Sequence, residues 1–112
     1  MKIDLNRFLP LAPATLHILL ALAGEDLHGY GIMQEVQRQS EGRYRLGPGT
    51  LYDNLARLVR EGLAVETEQE ARRKYYRLTT AGRRVLAAEV ARLETVVRDA
   101  RACLGTALPG RA

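Results

Sequence analysis

The sequence predicts a mainly α-helical fold with one small β-hairpin and a long C-terminal helix. Three observations predict it. Residues 48–60 place Leu51, Leu55, Leu58 and Val59 at helical spacing, opened by Pro48 and closed by Gly62. From Leu63 to Thr79 the pattern switches to alternation, the period of a strand. From Leu86 on, apolar residues return at steps of four and three, as in a helix seam.

The 112 residues suffice for one domain with one small core, and a domain of that size often gains stability by pairing. The apolar fraction, 46%, is too high for a disordered chain. The net charge of +4 is unevenly spread. Residues 43–84 hold ten Arg and Lys against five acids, or +5, whereas residues 1–42 carry −2. The basic excess therefore coincides with the middle helix and the hairpin, which suggests a polyanion partner. Cys103 is the only cysteine, which excludes an internal disulfide and fits a reducing, cytoplasmic setting.

Pro10 and Pro13 interrupt the N-terminal stretch. Residues 8–23 resemble the core of a secretion signal, but Asp4, the two prolines and His17 argue against one, and the run is too short to span a membrane. A helix from Pro13 to about Ala23 is the better reading. It is apolar nearly all round, through Leu16, Ile18, Leu19, Leu20 and Leu22, so it must be buried on more than one side, in part at a subunit interface. Residues 24–29 read as a turn. A second helix follows to Gln39, with Tyr30 near its start and Ile32, Met33 and Val36 on its inner face.

The third helix presents Thr50, Asp53, Asn54, Arg57 and Arg60 away from its leucine stripe. Such a mixed hydroxyl, amide and guanidinium face suits a DNA major groove; it also suits an ordinary surface helix. After Gly62, Leu63, Val65 and Thr67 alternate with Ala64, Glu66 and Glu68. Lys74 to Thr79 reads as the returning strand, with Tyr76 and Leu78 facing in. Arg72, Arg73 and Lys74 make its leading flank basic, as backbone contacts require. Three helices followed by a hairpin describe a winged helix-turn-helix.

Thr79 or Thr80 caps a last helix over 81–104. Its seam of Leu86, Val90, Leu93, Val97, Ala100 and Leu104 outruns a three-helix core, which predicts dimerisation. The chain thus divides into a DNA-binding unit with its N-terminal extension at 1–80, a dimerisation helix at 81–104 and a flexible tail at 105–112. No metal-ligand spacing, phosphate loop or nucleophile motif is present, so neither an enzyme nor a cofactor is expected. The competing reading is a winged-helix module that binds protein and no DNA.

His28-Gly29-Tyr30-Gly31-Ile32, Gly49-Thr50-Leu51-Tyr52 with Leu55 and Leu58, Glu61-Gly62-Leu63, Arg73-Lys74-Tyr75-Tyr76 with Leu78-Thr79, and Gly82-Arg83 resemble, in that order, the PadR family of bacterial transcriptional regulators. The likeness spans about residues 13–86, and the single last helix resembles the smaller-bodied branch. It implies a homodimeric winged-helix repressor on a palindromic operator, released in some members by a small molecule. It further implies DNA contacts from Thr50, Tyr52 and Arg57, a phosphate contact from Tyr30, and wing contacts from Arg73, Lys74 and Tyr76. The dimer interface is expected at Leu16, Leu19, Leu20, Leu86, Val90, Leu93, Val97 and Leu104. An effector cleft is expected between the first and last helices, near Leu16, Leu19, Leu20, Leu93 and Val97. Two features depart from the family pattern: Glu70-Ala71 at the wing tip, and Asp53 beside the recognition face.

Overall fold

Prolines and glycines punctuate the fold where the sequence places them. The computed structural model describes residues 4–70 and 73–105. A short 3₁₀ turn at Leu5–Phe8, capped by Asp4, leads into α1 at Pro13–Gly24. Then follow β1 (Leu27–His28), α2 (Gly29–Gln39), α3 (Pro48–Arg60), β2 (Ala64–Glu70), β3 (Arg73–Leu78) and α4 (Thr80–Leu104).

Helix α1 is the hub. Ala14, Thr15, Ile18, Leu19, Ala21 and Leu22 are all buried, and the helix packs against α2, α3, α4 and β3. Its all-round apolarity is therefore used within the chain. Leu16 and Leu20 remain half-buried, but Leu19 is fully enclosed. Leu19 and Leu86, expected at a subunit interface, both belong to this chain's own core. The reason is that α1 packs against all four of these elements at once, and the first turns of α4 join the same core. Leu19 likewise cannot line an effector cleft.

Helix α3 ends in a Schellman turn. The Gly62 N–H donates to the Val59 carbonyl at 3.1 Å and the Leu63 N–H to the Leu58 carbonyl at 2.9 Å, with Gly62 at φ +78°. Leu63 is thus turned inward by the helix end and not by strand alternation. The strand begins one residue later, which buries Ala64 and leaves Val65 42% exposed, the reverse of the expected phase.

The sheet has the order β1-β3-β2, antiparallel throughout. Sequence reading predicts only the hairpin; β1, which pairs Leu27 with Tyr76 and His28 with Tyr75, falls where a turn was expected. Tyr76 and Leu78 face inward as predicted.

Thr79 starts α4, its hydroxyl accepting from the Gly82 N–H at 3.0 Å. The same hydroxyl donates to the Gly62 carbonyl at 2.7 Å, and the Thr79 N–H donates to the Leu63 carbonyl at 3.1 Å. Gly82 permits this closeness, since a Cβ there would lie 2.1 Å from the Leu63 carbonyl oxygen. Helix α4 runs 25 residues, roughly 37 Å. Its first turns bury Val85, Leu86 and Glu89. The Glu89 carboxylate accepts from Arg92 Nε at 2.8 Å and from the Leu11 N–H at 3.3 Å. Beyond it the helix projects: Val90, Val96, Val97 and Leu104 are exposed and Leu93 is half-buried. No helix among the described residues is long and apolar enough to cross a membrane. The expected tail lies, from residue 106 on, outside the described residues.

Candidate nucleic-acid interface

Polar side chains gather on both flanks of α3. On the flank toward the hairpin, Tyr52 reaches across to the start of α2. Its hydroxyl rests so close over Gly29 that a Cβ there would sit 2.1 Å away. Gly29 and Tyr52 are therefore one steric unit, although they lie on different helices. Tyr30 is 62% exposed and Tyr52 49%. With His28, Arg73, Lys74 and Tyr76 they line an open cleft of about 400 Å³. Tyr76 is largely buried, and its phenol ionises above the ordinary tyrosine range. Burial is the main cause, reinforced by the charges of Glu66 and Tyr52. The phenol therefore keeps its proton as a donor.

His28 caps α2: its Nδ1 accepts from the Gly31 N–H at 3.0 Å. The far side of the ring meets Arg73, with Nη1 2.9 Å from Nε2. Tyr75 packs edge-on against the same ring, centroids 5.2 Å apart. His28 and Gly29 were not among the predicted site residues. The signal was present, since an acceptor immediately before a helix is a cap position. Nearby, the Arg77 Nη2 donates to Asp26 Oδ2 at 2.7 Å and its Nε at 3.0 Å. That charge is committed to holding β3 beside the loop before β1.

On the flank toward α1, the polar groups close on one another. The buried Thr15 hydroxyl donates to Asn54 Oδ1 at 2.7 Å. Arg57 Nη2 donates to Thr15 Oγ1 at 2.9 Å and to Asn54 Oδ1 at 2.6 Å. Asn54 Nδ2 donates back to the Thr50 carbonyl at 2.8 Å. Asn54, expected as a DNA contact, is half-buried and tethers α3 to α1. Arg57 stays exposed, with its guanidinium aimed by Thr15. Thr50 and Asp53 lie exposed on the same helix. Arg72 lies outside the described residues. The structure thus brings Tyr30, Tyr52, Arg73, Lys74 and Tyr76 together and sets Asn54 and Arg57 apart from them, on the other side of α3's outward face.

A helical bundle whose third helix shows a polar face beside a basic antiparallel hairpin is a winged helix. The chain belongs to the transcriptional regulator PadR-like family, whose pattern matches residues 18–88. It is 38% identical over 91 residues to the transcriptional regulator Rv3488 of Mycobacterium tuberculosis, covering 79% of this chain and 82% of that one. Among solved structures it resembles a transcriptional regulator from Clostridium thermocellum, with a TM-score of 0.70 and 27% identity, covering 78% of this chain and 88% of that one. It also resembles Bacillus subtilis PadR, solved in complex with operator DNA. There the TM-score is 0.62 and the identity 25%, over 72% of this chain and 48% of that one.

Proposed function

We propose that this PadR-like regulator binds duplex DNA as a homodimer and represses transcription from a palindromic operator. The observation that carries the reading is the cleft beside α3. Two exposed tyrosines, Arg73 and Lys74 converge there next to the helix that would enter the major groove. Tyrosine hydroxyls and cations position a backbone; the α3 face at Thr50, Asp53 and Arg57 reads bases. The Bacillus subtilis relative with operator DNA supports the same use of the fold.

The projecting half of α4 supports the dimer. Val90, Leu93, Val97 and Leu104 follow the heptad spacing and find too little cover within one chain, whereas a second copy would bury them. Leu93→Asp is expected to give monomers in light scattering; a dimer of that variant would refute the seam. Release by a small molecule, expected near Leu16, Leu20, Leu93 and Val97, would instead act through the shallow groove of about 650 Å³ where Leu9 and Pro10 meet Ala88, Ala91 and Thr95.

The test is a mobility shift on the DNA upstream of the protein's own gene, repeated across salt concentrations. Phosphate contacts make affinity fall steeply with salt, by a log–log slope of about −0.9 per contact. An absent or salt-insensitive shift would instead favour a protein-interaction module.

A further inference from the structure

The contact between His28 and Arg73 does not balance. A neutral imidazole offers one acceptor and one donor. The Gly31 amide can only donate, so its 3.0 Å approach assigns the acceptor to Nδ1. The ring proton then sits on Nε2. Arg73 also has only donors, and its Nη1 lies 2.9 Å from that nitrogen. Two donors face each other where a hydrogen bond would need an acceptor between or beside them. Among the described residues, those lining the cleft include no carboxylate to fill that role. Lys74 adds a further cationic donor to the same space, and the hydroxyls of Tyr30 and Tyr52, which can donate or accept but carry no charge, border it.

We propose that His28 is a phosphate ligand, its Nε2–H and the Arg73 guanidinium converging on one phosphodiester group of bound DNA. This rests on the DNA-binding reading above and sharpens it. A phosphate supplies several acceptor lone pairs and a negative charge, which is what two facing donors lack. The same histidine caps α2 and touches β3 through Tyr75, so one side chain ties the helix start, the wing and the backbone together.

The test uses His28→Asn. Asparagine is a good helix cap, so its short amide keeps an acceptor for the Gly31 N–H but places no donor where Nε2–H stood. Binding to the upstream duplex is expected to weaken about tenfold, with the salt slope unchanged because no charge is lost. Arg73→Ala is expected to flatten that slope by about 0.9. The double variant should bind less weakly than the product of the two single effects, because both groups serve one phosphate. Urea unfolding of His28→Asn checks that the fold survives. Ring ¹H–¹⁵N correlations on the unaltered protein read the tautomer without DNA, with the proton expected on Nε2. A His28→Asn protein that binds as tightly as the parent, or a ring protonated on Nδ1 in place of Nε2, overturns the proposal while leaving the DNA reading intact. A parent protein that shifts no duplex brings down the DNA reading itself, and the phosphate ligand with it.

Discussion

The two flanks of α3 solve the same problem in opposite ways. Toward α1, a hydroxyl, an amide and a guanidinium satisfy one another within 3 Å, around a threonine that is itself buried. Toward the hairpin, hydroxyls and cations line an open cleft instead. The first arrangement fixes where α3 sits and where Arg57 points. The second holds unspent hydrogen-bonding capacity. A closed polar network contributes rigidity, whereas an open one signals a missing partner.

Breaking each flank in turn tests that contrast. The largest effect is expected from Arg57→Ala, which belongs to the closed flank but reaches out of it. Binding to the operator should fall by about 1–3 kcal/mol, and binding to scrambled duplex by less. Fluorescence anisotropy on both duplexes measures this, and an unchanged ratio would remove Arg57 from base reading. Thr15→Val removes the hydroxyl at the centre of the closed network and should cost about 1–2 kcal/mol in urea unfolding. No loss of stability would mean that the network holds nothing in place. Gly29→Ala probes the open flank. The new methyl meets the Tyr52 hydroxyl and not backbone, so Tyr52 swings aside. Stability should change by no more than about 0.5 kcal/mol while DNA affinity drops severalfold.

The smallest effect concerns pH. Arg92 hydrogen-bonds the Glu89 carboxylate and the Leu11 N–H adds to it; together they outweigh burial and hold the carboxyl below its ordinary value of 4.5. A depressed folded-state value stabilises the fold above about pH 4.5, and the contribution is lost as acid protonates the group. Glu89→Gln should therefore unfold with a flatter pH dependence below that point. Parallel urea titrations of parent and variant would show it.

Much of this architecture was legible because its signals are local. Pro48, Gly62 and Thr79 mark helix ends by their own backbone chemistry, and the leucine spacing of α3 needs no partner to be read. Strand β1 was not legible, since two residues have no periodicity and exist as a strand only because β3 offers an edge. The phase of β2 was misread because Leu63 belongs to a helix cap. Interface leucines were overcounted for a related reason: apolarity in Leu19 and Leu86 says that they are buried, not by which chain. The site divides in the same way. Arg73 and Lys74 stand out by type, and Tyr30 and Tyr52 only through the family motifs that contain them; the structure brings all four to one cleft. The bonds from Thr15 to Asn54 and Arg57 span 39 and 42 residues, and no local pattern announces them.

The junction at Gly62, Thr79 and Gly82 has a mechanical consequence. It joins the heel of α3 to the foot of α4 through two hydrogen bonds and a close glycine contact. A long shaft anchored so firmly acts as a lever. A twist of its free end by a few degrees would then turn α3 as well, so under the proposed function a partner gripping the shaft would also steer what α3 can reach.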